Sequence, residues 1–230
     1  MLGLTPDELV AVRLSLRVAT WATLTSLPIG LAVALLLARG RFWGHSLLNV
    51  LVHLPLVLPP VVTGYLLLLL LGRRGPLGQF LEQTFGIVVA FRWTGAVIAS
   101  AVMGFPLLVR AIRLSLEAVD RRLEDAACTL GASRPWVFLT VTLPLVMPGV
   151  VAGMILCFAK SLGEFGATIT FVSAIPGETR TLPAAIYSLT QVPGGEAGAL
   201  RLTLVAMALA MLALLASEIV ARRVAARIVE

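Results

Sequence analysis

The chain has 230 residues, of which 59% are hydrophobic and 13% are charged, and its mean hydropathy is +0.98. Soluble domains carry about 45–50% apolar and about 25% charged residues, so this composition excludes a soluble enzyme, a disordered chain and a disulfide scaffold, and indicates an integral membrane protein. The net charge of +6 comes from 17 arginines and one lysine against 12 acidic residues, and arginines at the ends of apolar segments indicate membrane anchors rather than a nucleic-acid surface.

Five apolar segments approach the length of about 20 residues that a transmembrane helix needs. They are predicted at about 10–38, 46–72, 87–115, 136–160 and 199–221, in a single domain of residues 1–230. The first is too long for the apolar core of a signal peptide and lacks a cleavage site, so it is predicted to be a retained helix. The third reaches back to residue 87 only if Arg92 extends its guanidinium to the membrane surface. The sequence therefore predicts an all-α membrane protein.

The second segment contains three prolines, Pro55, Pro59 and Pro60, within the run LVHLPLVLPPV. Proline removes a backbone donor and kinks or breaks a helix. A broken helix persists in a bilayer only where protein or a water-filled cavity satisfies the freed backbone groups. Two interpretations remain open here: an ordinary proline kink, or a break that lines a pathway.

A long connection, residues 161–198, separates the fourth and fifth segments. Its apolar runs 165–177 and 181–195 are too short or too interrupted to cross, and predict short re-entrant or interfacial helices on the outer face, bounded by Pro-Gly sequences. Glu164 follows Lys160 by four residues, a spacing that places both side chains on one helix face and predicts an ion pair. A functional role for this carboxylate near the membrane is the alternative.

Residues 118–135 are predicted to form two short helices joined by a turn. Asp120 is a candidate N-cap, and Leu123, Ala126, Ala127 and Leu130 give an apolar stripe at helical spacing. Gly131 can adopt the left-handed conformation that ends a helix, and Ser133 can cap the next one. This amphipathic element is either a docking surface or a simple connector.

Arginines are concentrated at residues 39–41, at 110–134 and in the tail at Arg222, Arg223 and Arg227. The positive-inside rule places these regions in the cytoplasm, so five spans predict a cytoplasmic C-terminus and an outer N-terminus. No nucleophile, zinc-protease or Walker A motif occurs, and the cysteines and histidines lack metal-ligand spacing. We therefore expect no catalytic site, no metal and no cofactor in this chain.

One pattern resembles the EAA–G–LP signature of type I ABC importer permeases. It consists of Asp125, Ala126 and Ala127, then Gly131, then Leu143 and Pro144. The leading acid is usually Glu; here it is Asp125, directly after Glu124. The stretches HLPLVLPPV, GRRGPLG, SLGEFGATITF and IPGETRT extend the resemblance, over nearly the whole chain, to the permeases of bacterial molybdate ABC transporters. Sulfate permeases share a stretch similar to LGEFGA.

This resemblance implies a non-enzymatic permease subunit that carries molybdate, and tungstate with it, across the cytoplasmic (inner) membrane of a bacterium. The implied partners are a second copy of the chain, two cytoplasmic ABC ATPase subunits, and a periplasmic or lipid-anchored molybdate-binding protein. Alternatives are a permease for sulfate or another oxyanion, a channel or carrier that works without ATP, and a membrane enzyme.

The resemblance implies the first of three groups of site residues, and the chemistry and position of the residues suggest the other two. The ATPase-coupling candidates are Glu124, Asp125, Ala126, Ala127, Gly131, Leu143 and Pro144. The pathway or gate candidates are Pro59, Pro60, Thr63, Glu164, Thr168 and Thr170. The candidates for docking a binding protein on the outer face are Glu178 and Arg180.

Overall fold

The computed structural model describes residues 3–229, and this part of the chain contains helices and no strands. The side chains of Arg222, Arg223 and Arg227 lie outside those that are described. The helices are α1 Pro6–Arg39, α2 His45–Val57, α3 Pro60–Leu71, α4 Pro76–Phe85, α5 Trp93–Ala118, α6 Arg121–Thr129, α7 Arg134–Val137, α8 Leu143–Leu162, α9 Gly166–Val172, α10 Leu182–Thr190 and α11 Glu196–Val229. A π-helical turn, Phe138–Thr142, joins α7 to α8.

Four continuous helical segments are long and apolar enough to cross a membrane: Pro6–Arg39, Trp93–Ala118, Arg134–Leu162 and Glu196–Ala216. Helices α2 and α3 together provide a fifth apolar segment, bent by 115° at the break between them. The predicted all-α membrane fold with about five spans is therefore confirmed.

The start of the third predicted segment is wrong. Helix α5 begins at Trp93 with Arg92 as its N-cap, and Phe91 has a φ of 59°, which right-handed helix does not allow. The helix ends at Ala118, three residues beyond the predicted end at 115. Hydrophobicity at 87–91 reflects packing of Val89 and Ala90 into the core rather than helix.

Helices α1, α5 and α8 form the centre of the molecule, and small residues allow them to pack closely. Ala19, Ala22 and Ala99 are fully buried. A Cβ added to Gly104 would lie 2.7 Å from the sulfur of Cys157, and one added to Gly30 would lie 2.8 Å from Leu108. Small residues are the usual contacts between membrane helices, because close backbone approach maximises van der Waals packing.

Two elements were not predicted. Helix α4 has Pro76 in its first turn and Gly86 in the left-handed conformation after its end, but it is too short to read as a span. In the π-helical turn, the Leu143 N–H donates to Phe138 O, five residues back. The next residue, Pro144, has no N–H to continue the ordinary series of hydrogen bonds, so the widened turn lies where the regular helix cannot run unbroken.

Candidate coupling and translocation sites

Two helix breaks lie against each other. The first separates α2 from α3 at Leu58 and Pro59, and the second separates α8 from α9 at residues 163–165. Glycines make the approach possible: a Cβ on Gly166 would lie 2.7 Å from the Cβ of Pro60, and a Cβ on Gly64 would lie 2.5 Å from Ala167 O. Both positions therefore exclude any larger side chain unless the backbone moves, and they hold α9 against α3.

The predicted pathway residues gather around this contact. The Thr168 hydroxyl donates to Phe165 O at 2.9 Å, and the Thr170 hydroxyl donates to Gly166 O at 2.9 Å, so both are satisfied within their own segment. The buried Thr63 hydroxyl has no hydrogen-bond partner among the described residues. Of the three threonines, Thr63 is therefore the one whose oxygen is left without a local partner.

The predicted ion pair between Lys160 and Glu164 is present. The Nζ of Lys160 donates to Glu164 Oε2 at 2.7 Å. The other carboxylate oxygen, Oε1, accepts from the backbone N–H of Ala167 at 2.9 Å, a contact the sequence did not indicate. The Glu164 side chain is 1% exposed and that of Lys160 is 31% exposed. The Glu164 carboxylate is therefore enclosed, whereas the Lys160 side chain is partly exposed.

At one end of the molecule, α6 forms the amphipathic helix that the sequence predicts. Asp120 caps its start, because Oδ1 accepts from the N–H of Arg122 at 3.0 Å. Gly131 follows its end with a φ of 89°, and the N–H of Ala132 donates back to Ala127 O at 3.2 Å. Ser133 occupies the N-cap position of α7 as predicted, but its side chain makes no capping hydrogen bond.

The adjacent acids Glu124 and Asp125 have different surroundings. Glu124 accepts two hydrogen bonds from Arg39, at 2.8 and 3.0 Å, and one from the Thr142 hydroxyl at 2.7 Å. Asp125 is exposed. Glu124 therefore ties α6 to the end of α1 and to the π-helical turn before α8, whereas Asp125 has no hydrogen-bond or ion-pair partner among the described residues.

The other predicted coupling residues lie in two groups. Ala126 and Leu123 are exposed, and Leu130 is 89% exposed, so much of the apolar stripe is uncovered by this chain. Leu143 and Pro144 open α8 directly after Thr142. The two halves of the signature are therefore joined through the Glu124–Thr142 hydrogen bond.

At the opposite end, the start of α1 is tied to α11. Glu8 Oε1 accepts from Arg201 Nη2 at 2.8 Å, and Glu8 and Thr5 form a reciprocal capping box. Arg180 lines a cavity of about 420 Å³ beside this pair, and its Nε is buried without a hydrogen-bond partner among the described residues. Sequence reasoning missed both Glu8 and Arg201.

Glu178 and Arg180 lie in one tight turn between α9 and α10. Their backbone N–H groups both donate to Ile175 O, at 3.2 and 3.0 Å. The buried Thr179 hydroxyl donates to Val172 O at 3.1 Å and accepts from the N–H of Ile175 at 2.9 Å. The turn is therefore a fixed structure that presents Glu178 and Arg180 half-exposed.

Residues 26–226 match the family described as binding-protein-dependent transport system inner membrane component. The molybdenum transport system permease protein ModB of Escherichia coli strain K12 is 62% identical over 95% of this chain and 96% of that protein. ModB of Haemophilus influenzae is 58% identical over 94% of each chain. The sulfate transport system permease protein CysT of Salmonella typhimurium is 38% identical over 79% of this chain and 65% of that protein.

Solved structures of low sequence identity share the fold. The MetNI methionine ABC transporter matches with a TM-score of 0.72 at 17% identity, over 93% of this chain and 94% of that chain. A bacterial ABC transporter that imports alginate matches with a TM-score of 0.75 at 16% identity, over 95% of this chain and 80% of that chain.

Proposed function

The chain belongs to the family of binding-protein-dependent transport system inner membrane components, and we propose that it is the subunit through which molybdate crosses the membrane in an ABC importer. The observation that carries this proposal is its 62% identity, over 95% of its length, to a molybdenum transport permease. The proposed complex contains two copies of this chain, two ABC ATPase subunits and a molybdate-binding protein outside the cell.

Helix α6 is the proposed coupling helix, and its end of the molecule is the proposed cytoplasmic end. Its uncovered apolar stripe and the free carboxylate of Asp125 suit a groove on an ATPase subunit. The Gly131 turn fixes how the helix leaves that groove. With α6 in the cytoplasm and five crossings, the N-terminus lies outside and the C-terminus inside, as the arginine distribution also favours.

A series of contacts links the coupling helix to the helix breaks. Glu124 joins α6 to Thr142, and α8 runs from the next residue to Leu162, about 30 Å at 1.5 Å per residue. Just after the end of α8, the Glu164 carboxylate accepts a hydrogen bond from the N-terminal backbone of α9. Helix α9 in turn packs against Gly64 of α3. Movement of α6 with the ATPases can thereby shift the break between α2 and α3. ATP binding can favour one conformation of the permease only if the ATPase subunits make different contacts with its two conformations.

A divalent oxyanion is costly to place in hydrocarbon, so the pathway must offer polar groups and water. The proposed lining is the surface around Pro59, Pro60, Thr63 and the segment from Glu164 to Thr170, where two broken helices meet. Broken helices recur at the substrate sites of transporters, because their free backbone groups replace water around an ion.

The test is uptake of radiolabelled molybdate by vesicles containing this chain, its ATPase and its loaded binding protein. We expect uptake that requires ATP, with tungstate competing and a large excess of sulfate competing weakly. Uptake without ATP would indicate a channel or carrier. Stronger competition by sulfate than by tungstate would indicate a sulfate permease, the candidate favoured by the 38% identity to CysT.

A further inference from the structure

We propose that the ammonium group of Lys160 is the cationic contact for the transported anion, and that Glu164 holds it at the meeting point of the two helix breaks. This inference rests on the proposed function, because it assumes that an oxyanion passes through this protein.

Positive charge is scarce around the proposed pathway. Helices α2, α3 and α9 contain no Asp, Glu, Lys or Arg, and α8 contains Lys160 as its one charged residue. A doubly negative ion that leaves water needs either donors or opposite charge along its path. Ionisable residues at such positions face a protein interior or a water-filled cavity rather than lipid.

The pair is asymmetric in a way that suits anion binding. Glu164 is enclosed, and both of its oxygens are satisfied, one by Lys160 and one by the N–H of Ala167. The Lys160 ammonium has three N–H donors, and within the described residues Glu164 is its one hydrogen-bond acceptor. The Lys160 side chain is 31% exposed, and two of its three N–H donors have no acceptor among the described residues.

The Lys160–Glu164 ion pair lies next to the contact between the two helix breaks. Glu164 lies two residues before Gly166, which contacts Pro60 at the first turn of α3. Around the same break, Val57 is 82% exposed, Val61 is exposed, and the buried Thr63 hydroxyl has no partner among the described residues. A partly exposed lysine, an unpartnered hydroxyl and the break between α2 and α3 are thus linked through contacts at the start of α9.

The competing explanation is that Lys160 and Glu164 form a purely structural ion pair. Removing Lys160 alone does not distinguish this explanation from a role in anion binding. That change leaves the enclosed Glu164 carboxylate without its counter-charge, which is damaging in itself. Glu164→Gln removes this difficulty, because the amide is nearly the same size and is neutral. Comparing Glu164→Gln with Lys160→Met/Glu164→Gln therefore isolates the cation in a common neutral background.

The experiment measures molybdate uptake and binding-protein-stimulated ATP hydrolysis for both variants in vesicles with the ATPase and binding protein. We expect both variants to assemble and to hydrolyse ATP at similar rates, and the double variant to lose at least tenfold in uptake per ATP relative to Glu164→Gln. Equal uptake in the two variants, whether high or low, overturns the proposal. A double variant that fails to assemble, where Glu164→Gln alone assembles, shows that Lys160 has a structural role and also overturns the proposal. A parent that does not transport molybdate instead contradicts the proposed function.

Discussion

The carboxylate of Glu124 accepts two hydrogen bonds from the guanidinium of Arg39, although 85 residues separate them in sequence. Both side chains are about one-fifth exposed, and the Thr142 hydroxyl donates to the same carboxylate. A planar guanidinium and a carboxylate in this two-point arrangement fix orientation as well as distance. The proposed coupling helix is therefore held rigidly to α1 and α8, which is what transmission of force from a partner requires.

The first prediction contrasts the two adjacent acids of α6. Glu124→Gln weakens the contacts to Arg39 and Thr142, and we expect a loss of about 1–2 kcal/mol in the stability of α6 docking against α1 and α8, because hydrogen bonds to charged groups contribute about 1.5–3 kcal/mol. Asp125→Asn breaks no hydrogen bond or ion pair within the described residues, so it should leave thermal stability in detergent unchanged and weaken ATPase binding.

Thermal unfolding of the isolated permease and co-purification with the ATPase measure the two effects separately. The division of roles is wrong if Asp125→Asn lowers the unfolding temperature as much as Glu124→Gln does. It is also wrong if Asp125→Asn leaves ATPase affinity at the parental value.

The second prediction concerns the turn that ends α6. A Cβ at Gly131 would meet no atom within 4 Å, so the cost of a side chain comes from the φ of 89° alone. Gly131→Val should cost about 1–2 kcal/mol locally and reduce ATPase docking. Gly131→Asn is the matched control, because Asn tolerates this conformation. If Gly131→Val binds the ATPase as tightly as the parent does, this turn has no role in coupling.

Local sequence signals located most of the elements but not the contacts between them. Pro59 and Pro60 correctly indicated the interruption of the second segment, whereas Pro55 lies inside α2 and does not break it. Gly131 correctly indicated the end of α6, because such effects are set by the residue's own backbone. The partners of Glu124 were missed, since Arg39 and Thr142 become its neighbours only when α1, α6 and α8 pack. Hydrophobicity also wrongly extended the third helix to residue 87, because a loop that packs Val89 and Ala90 into the core has the apolar composition of a span.

The third prediction tests the packing of the two helix breaks. Gly64→Ala would place a Cβ 2.5 Å from Ala167 O, a backbone atom that cannot move aside cheaply. We expect this overpacking to cost about 1–3 kcal/mol and to impair uptake. Gly163→Ala is the control in the same region: its φ is −90°, and the added Cβ would lie 3.8 Å from the nearest atom. Similar thermal stability for the two variants would show that α3 and α9 are not closely packed.

The fourth prediction tests membrane orientation with a membrane-impermeant maleimide applied to intact spheroplasts. Cys128 lies exposed in α6 and Cys157 is buried, so the native chain should label only after the membrane is permeabilised. In a Cys128→Ser background, Pro176→Cys in the exposed turn before α10 should label without permeabilisation. Labelling of Cys128 from outside would reverse the proposed topology and the coupling mechanism with it.

The fifth prediction concerns delivery of substrate at the end of the molecule opposite α6. The turn that carries Glu178 and Arg180 is held by Thr179, so its charges are presented in a fixed arrangement that a binding protein can recognise. Charges at the rim of an interface chiefly set association rate and salt dependence. We therefore expect Glu178→Lys to reduce the stimulation of ATP hydrolysis by loaded binding protein several-fold, most at low ionic strength, while basal hydrolysis by the assembled complex stays at the parental rate.

Glu82→Lys provides the matched charge reversal for this test, because Glu82 is a half-exposed acid of α4 whose nearest cation among the described residues, Arg73, is 3.9 Å away. Both variants change the net charge by the same amount, so a general electrostatic effect on the binding protein would appear in both. A loss confined to Glu178→Lys supports docking at this turn. Equal stimulation in Glu178→Lys and the parent at low salt would exclude Glu178 from the docking surface, and the delivery site would then have to lie elsewhere on this face.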